Sequence, residues 1–346
     1  MSLQSQSESQ SESQSDELSV ANEARAKGLF RTTPLFRSAS LSHLVGNDVY
    51  LKLDALQASG SFKDRGMGHL CQTLQSQGVS NLISSSGGNA GLAVATIGQQ
   101  LGMSVSVIVP ETTKPLVVAK LKALGAQVTI HGQNWNAADK LARHLVEGDP
   151  SASYISPYDN PILWTGHSTL IDELVDELPC IGALVVSVGG GGLLCGALEG
   201  LERRGLHQTA VLAAETEGAA SFGQAWEKGH LVTLTSINTV ATSLGALEVT
   251  PMALERAKQH KDRGGVFQSA ICTDAEAIQA CIQFSLDHRM LVEPACGAAL
   301  AVAYSERLRT THLNAVQGPI VLQVCGGSGV TIDLLHQWKT EYLKSI

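Results

Sequence analysis

Ser59-Gly60-Ser61-Phe62-Lys63-Asp64-Arg65-Gly66 is the stretch on which the reading of this chain turns. It sets one lysine behind a Ser-Gly-Ser turn and a phenylalanine. Upstream, Val49-Tyr50-Leu51-Lys52-Leu53 alternates and is rich in strand formers. Lys63 is therefore expected to leave the end of a strand and begin a helix. The positive end of a helix dipole disfavours a cation there, so a lysine in that place calls for a partner that uses it. A solvated surface lysine is the ordinary alternative, and the rest of the chain has to decide between the two.

The stretch lies in a chain of 346 residues, long enough for two domains or one large one. Hydrophobic residues make up 44% and aromatics 4%, so a sizeable core would be mostly Leu, Val and Ala. A net charge of -8 argues against nucleic acid or an anionic membrane as the main partner. A small anionic ligand would need locally placed donors. No apolar run reaches the length of a membrane span. The 7 cysteines (71, 180, 195, 272, 281, 296 and 325) form no CxxC pair and sit mainly in apolar segments. That fits a reducing, cytoplasmic compartment and buried thiols better than disulfides or zinc. Residues 2–16 repeat Ser, Gln and Glu, and residues 1–20 are expected to be a disordered polar tail. The tail has neither the basic and apolar regions of a signal peptide nor the arginines of a transit peptide.

From Thr32 onward strands alternate with helical periodicity. Strand-like runs are 49–53, 82–84, 105–109, 126–130, 183–188, 211–214 and 320–324. Helical patterns cover 91–101, 168–178, where Leu170, Leu174 and Leu178 share a stripe, 274–286 and 295–306. This alternation predicts an α/β fold, with parallel sheets covered by helices on both faces and ligands held beyond the carboxyl ends of strands.

Three of those strand ends carry glycine. Leu82–Ser84 runs into Ser85-Ser86-Gly87-Gly88-Asn89-Ala90-Gly91, Ala183–Val188 into Gly189-Gly190-Gly191-Gly192, and Ile320–Val324 into Cys325-Gly326-Gly327-Ser328-Gly329. Glycine costs about 0.5–1 kcal/mol relative to alanine in a regular element, so four in a row imply a backbone that must come close to something. At the start of a helix their N–H groups and the dipole suit a phosphate. A tight turn would need only one or two. A dinucleotide site competes for the same loop. Gly190, Gly192 and Gly196 spell G-x-G-x-x-x-G, and Glu215 ends the next strand about 20 residues on, where a ribose-binding acid belongs. An NAD(P)-dependent oxidoreductase is thus the second reading, although it explains neither Lys63 nor the other two loops. The 84–91 loop offers hydroxyls and N–H groups for a carboxylate, or is an ordinary turn capped by Asn89. Cys325 alone would be read as a buried, inert thiol.

Taken together, the 59–66 stretch, Ser84–Gly91, the 189–192 tetraglycine, Glu293-Pro294-Ala295-Cys296-Gly297-Ala298-Ala299 and Cys325–Gly329 resemble the pyridoxal-phosphate enzymes of the tryptophan-synthase-β type, fold type II. Within that type the chain is most similar to the L-serine/L-threonine dehydratases, from about residue 28 to 340. The resemblance implies two domains, each an open, mostly parallel sheet flanked by helices. Residues 21–64 and 162–346 would form the large cofactor-binding domain and 65–161 the small one. It implies elimination of water from L-serine or L-threonine, giving a 2-oxo acid and ammonia, in a homodimer. Threonine synthase, cysteine synthase and a non-catalytic homologue are the neighbouring alternatives.

Residue by residue, Lys63 matches the lysine that forms an imine with pyridoxal 5'-phosphate and later serves as base. Phe62 matches the residue packed on one cofactor face, and Asn89 the asparagine bonded to the ring hydroxyl. Gly189, Gly190, Gly191, Gly192 and Leu193 match the phosphate cradle. Ser86, Gly87, Gly88, Asn89 and Ala90 match the loop holding the substrate carboxylate, with Ser86 joining Lys63 among the catalytic groups. Ser243, Leu244, Gly245 and Ala246 match a segment near the other ring face. Glu215, Ala219 and Ser221 match a structural monovalent-cation site, often K+. Cys325 stands where the family contacts the pyridine nitrogen, and a neutral thiol there suits elimination. Racemases of the family carry serine where this chain has Gly87, so poor racemisation is expected. With 17 residues after Gly329, the regulatory domain of biosynthetic threonine deaminases is not expected.

Overall fold

The computed structural model describes residues 22–343. The polar tail of residues 1–20 lies outside the described residues. The chain divides into two compact units, one of residues 22–32 and 63–169, the other of residues 33–62 and 170–343.

The larger unit is built on six strands: β1 (Leu35–Arg37), β2 (Val49–Lys52), β7 (Ala183–Ser187), β8 (Ala210–Thr216), β9 (Phe267–Cys272) and β10 (Ile320–Gln323). Their order is β1-β2-β10-β7-β8-β9. Only β1 runs antiparallel, against β2. The last strand of the chain is inserted between β2 and β7, with Val321 facing Tyr50 on one side and Leu184 on the other. β7, β8 and β10 are buried at every position, which is why they read as continuous apolar runs. Helices cover both faces, and Pro294–Tyr304 is buried almost throughout. The carboxyl ends of β2, β10 and β7 lead into segment 53–62, Cys325 and the tetraglycine respectively, and Glu215 is the penultimate residue of β8.

The smaller unit holds four strands in the order β5-β4-β3-β6, all parallel: β3 (Asn81–Ser84), β4 (Ser104–Val109), β5 (Gln127–Ile130) and β6 (Ala152–Tyr154). Ile83 and Ile108 pack with Ala138 and Ala142 of the helix Trp135–Glu147. The carboxyl end of β3 opens into the Ser85–Gly88 loop.

Residues 22–32 were expected with the larger unit and group with the smaller. Leu29 and Phe30 close on Gly68 of the helix Lys63–Ser76, where a β-carbon would stand 3.2 Å from each side chain, and the Arg65 guanidinium lies 5.9 Å from the Phe30 ring centroid. The expected helix 168–178 begins earlier, at Pro161. Its residues up to Thr169 belong to the smaller unit and those from Leu170 to the larger. Leu170, Leu174 and Leu178 are all buried, as their spacing implied. The expected helix 295–306 is two helices, Pro294–Tyr304 and Glu306–His312. Ser305 is extended and turns its hydroxyl to the Leu308 N–H, capping the second.

Candidate active site

Lys63 is the first residue of its helix, as expected, but it does not leave a strand directly. A 3-10 turn at Asp54–Leu56 and the Ser59–Phe62 segment intervene. That segment is tied to the end of β10. Ala55 N–H donates to Val324 O at 3.0 Å, Phe62 N–H to Cys325 O at 3.1 Å and Gly327 N–H to Gly60 O at 2.9 Å. Ser61 and Gly326 form an antiparallel bridge. Phe62 and Cys325 are thus neighbours through the main chain, and Lys63 follows Phe62 directly.

Within the smaller unit the Lys63 ammonium donates to Pro157 O at 2.5 Å. The buried His167 stands against the same helix turn. A β-carbon on Gly66 would lie 2.6 Å from His167 Cε1, which explains a glycine three residues after the lysine. Burial, with the positive charges of Lys63 and Arg65, pulls His167 well below its ordinary pKa, so it is a neutral imidazole. Neither His167 nor Pro157 announces itself in sequence, because each acts through packing against a helix distant in the chain.

The Ser84–Gly91 loop is folded on itself. Ser86 N–H donates to Ser84 Oγ and Gly88 N–H to Ser86 Oγ, both at 3.3 Å. Gly91 admits no side chain, since a β-carbon there would sit 1.8 Å from Ser86 O. The following helix is Asn89–Leu101, and its capping position is Gly88, which gives no side-chain cap. Asn89 is therefore not the cap that an ordinary turn would have made of it. The loop sets Ser86, Gly87, Gly88, Asn89 and Ala90 in sequence at a helix start whose first N–H groups have no intrahelical acceptor.

In the larger unit the tetraglycine leads from β7 into the helix Gly192–Arg203, with Gly191 in the capping place at φ +92°. A β-carbon on Gly191 would meet Val249 Cγ2 at 2.7 Å and Ala253 Cβ at 2.8 Å, and one on Gly189 would meet Leu244 Cα at 3.0 Å. No side chain caps this helix, so the N–H groups of Gly192, Leu193 and Leu194 are directed out of its end. A bare main-chain cradle with convergent donors fits a phosphate. Segment 243–246 lies on this loop, where Gly245 N–H donates to Thr242 O at 3.1 Å.

Cys325 is buried. The neighbouring Cys296 thiol, then burial and the Glu293 carboxylate, raise its pKa well above that of an ordinary thiol, so it remains S–H. Glu293, at the start of the helix Pro294–Tyr304, fills the space beside Gly327 and accepts from Gly329 N–H at 3.2 Å. This accounts for Gly327 and Gly329, while Gly326 lies against Gly60 O and Ala55. Of the seven cysteines, six are buried thiols outside any disulfide and Cys180 is exposed.

Glu215 overturns the dinucleotide reading. Its carboxylate is fully buried and accepts from Phe222 N–H at 2.9 Å and Gly223 N–H at 2.6 Å, so it has no oxygen turned to a ribose beyond the strand. Burial pushes its carboxyl up to about 8 despite those two hydrogen bonds. The buried Ser221 hydroxyl nearby has no protein partner, and Ala219 is buried beside it in the chain.

Residues 27–326 match the family described as pyridoxal-phosphate dependent enzyme, and the protein belongs to that family. Among curated proteins it is 42% identical over 322 residues to the Rattus norvegicus "Serine dehydratase-like" protein, covering 92% of this chain and 96% of that one. It is 41% identical over 314 residues to the Homo sapiens "L-serine dehydratase/L-threonine deaminase", covering 89% and 94%. Among solved structures, a fungal L-serine ammonia-lyase from Rhizomucor miehei superposes with a TM-score of 0.83 at 33% identity, covering 91% of this chain and 99% of that one.

Proposed function

We propose that this chain is a pyridoxal-phosphate dependent ammonia-lyase that converts L-serine to pyruvate and L-threonine to 2-oxobutanoate, each with release of ammonia. The observation that carries the reading is the tetraglycine cradle, in which Gly189 and Gly191 leave no room for a side chain and uncapped helix donors converge, in a chain whose Lys63 follows a pinned Ser-Gly-Ser-Phe segment.

In this reading Gly189–Leu193 hold the cofactor phosphate, Phe62 and Gly245 flank its ring, Asn89 meets the ring hydroxyl and Cys325 the ring nitrogen. Bound there, the cofactor supplies an electron sink for the carbanion at the substrate α-carbon. Lys63 carries the cofactor. When its amine is free, Lys63 would take the α-proton as general base. Ser86 and the N–H groups of Gly87–Ala90 hold the substrate carboxylate and so present the α-proton to Lys63. The β-hydroxyl departs as water with one proton, balancing the one Lys63 removes from the α-carbon, and the enamine product takes up water to give the 2-oxo acid and ammonia. Cys325 as a neutral thiol gives the ring nitrogen no counter-charge, which favours reactions whose leaving group drains the charge.

Glu215, Ser221 and the Ala219 carbonyl are proposed to bind a monovalent cation such as K+. A carboxyl raised by burial beside an orphaned hydroxyl is the donor set a cation would satisfy. No helix among the described residues is long and apolar enough to cross a membrane. A cytoplasmic location accords with the unpaired thiols, and a homodimer is the expected assembly.

The test is release of pyruvate and 2-oxobutanoate from the two amino acids by protein loaded with pyridoxal phosphate, alongside borohydride reduction and peptide mapping. Attachment of the cofactor at Lys63, and loss of both products in Lys63→Ala, are expected. Attachment elsewhere, or full turnover in Lys63→Ala, overturns the assignment.

A further inference from the structure

Ser85 lies between the last residue of β3 and Ser86, and it is fully buried. Its hydroxyl donates to Asp139 Oδ1 at 2.8 Å and is 3.0 Å from the Tyr154 hydroxyl. Tyr154 donates to the same Asp139 oxygen. The other oxygen of Asp139 accepts from Arg143 Nε at 2.8 Å, and the Arg143 guanidinium covers the Tyr154 ring at 4.1 Å from its centroid. Burial would raise the Asp139 carboxyl, but the hydrogen bonds from Tyr154, Arg143 and Ser85 outweigh it and hold the group ionised.

Three elements meet at this carboxylate: the helix Trp135–Glu147, β6 and the loop after β3. The helix already packs on the sheet through Ala138 and Ala142, and β6 is already laddered to β3, with Tyr154 opposite Ile83. The cluster therefore does more than attach helix to sheet. Its one contact with the loop is the Ser85 hydroxyl, immediately before Ser86. On the far side Ser86 O is seated on Gly91, where no side chain fits. Ser86 is thus held from both ends.

We propose that Asp139, acting through Ser85 with Tyr154, is the positioning residue of the substrate-carboxylate loop and sets the direction of the Ser86–Ala90 donors. The inference rests on the reading of that loop given above. A carboxylate bound by several short donors tolerates little misdirection, so loosening Ser85 weakens recognition of the substrate carboxylate and leaves the amine chemistry in place.

The experiment compares unsubstituted protein with Asp139→Ala, Ser85→Ala and the double variant, all loaded with pyridoxal phosphate. L-Serine turnover is measured, and the visible absorbance is titrated with L-serine and with ethanolamine, which has the amine and hydroxyl but no carboxylate. Both single variants are expected to keep the absorbance of the loaded protein, to raise KM for L-serine about tenfold, the scale of a lost charge-assisted hydrogen bond, and to hold kcat within about threefold. Their response to ethanolamine should match that of the unsubstituted protein. The double variant should be no worse than Ser85→Ala, because the two residues act as one unit. Equal weakening toward both ligands, or additive losses, overturns the proposal in favour of a purely structural cluster. Should Asp139→Ala not fold, Ser85→Ala decides alone, since it removes only the loop contact. A protein that responds to L-serine and is indifferent to Ser85→Ala overturns this inference by itself. An unsubstituted protein with no response to L-serine overturns the ammonia-lyase reading and this inference with it.

Discussion

A β-carbon placed on Gly87 would stand 2.9 Å from Thr113 Cγ2 and 3.0 Å from its hydroxyl oxygen. The space that a racemase-like serine would need is therefore filled by a side chain from the turn after β4. Thr113 is half-buried and can rotate, so Gly87→Ser should fold. It is expected to form little D-serine, however, until Thr113→Ala makes room. Chiral analysis of serine after incubation checks this, and a Gly87→Ser protein that racemises as fast as the double variant would contradict it. At Gly191 the demand is conformational as well as steric, since φ is +92° and two side chains lie within 2.8 Å of a β-carbon. Gly191→Ala is expected to weaken pyridoxal phosphate binding more than about tenfold, roughly the 1–3 kcal/mol of a strained backbone, as read by equilibrium dialysis. The Cys325 thiol can be tested directly. Cys325→Asp puts a carboxylate beside Glu293 and, in the function proposed above, where the ring nitrogen would lie, and should cut pyruvate formation at least about tenfold if the neutral thiol favours elimination. The place of Lys63 at a helix start and the glycines after β3, β7 and β10 were legible because periodicity and backbone freedom mark them locally. His167, Asp139 and Tyr154 were not, because any buried polar residue could be a packing partner until its neighbours are known.

The helix Asp274–His288 shows how an element's ends are written in sequence. Thr273 and Glu276 form a capping box, each side chain taking the other's N–H. Glu276 is also bound by the Arg307 guanidinium at 2.6 Å and by the Ser305 hydroxyl at 2.7 Å. Burial would raise its carboxyl, but Arg307, the Thr273 N–H and Ser305 bring it down from 4.5 to about 2. A carboxyl lowered in the folded state contributes stability that is present above pH 4.5 and lost as pH falls toward 2. Arg307→Ala is expected to lower Tm at pH 5 and above, with the gap closing as pH falls through that window in thermal melts. A second element-level feature, beneath the end of β2, is the buried pair of Lys52 and Glu173 at 2.7 Å. Lys52→Met would strand the carboxylate, and a loss of about 3–5 kcal/mol is expected in denaturant titration. The long, apolar strands β4, β7, β8 and β10 were readable from composition alone. β1 and β6, of three residues each, were not, nor was β9, whose Gln268 and Ser269 interrupt the apolar run. Short or interrupted strands are specified by the neighbour they pair with. Ser305 likewise divided what periodicity joined, because a cap acts through one hydroxyl that an apolar pattern does not register.

At the scale of the whole molecule, the family match begins at residue 27, after the Ser/Gln/Glu repeat. Potassium chloride should raise Tm over an equal concentration of choline chloride, by up to about 2.7 kcal/mol of stability when the site is well saturated, and Glu215→Gln should remove the difference. A gain that survives in Glu215→Gln would place the cation elsewhere. By itself the sequence determined the α/β class, the strand–glycine–helix recurrence and the place of Lys63 at a helix start, because these rest on local periodicity and on backbone freedom. Only the tertiary structure decided that β10 enters between β2 and β7, that Phe62 is tied to Cys325, that Glu215 is turned into a helix start, and that Asp139 reaches Ser85. Each of these depends on which distant segments share a sheet or a buried charge, and that is settled by burial and pairing over the whole chain rather than by any local pattern.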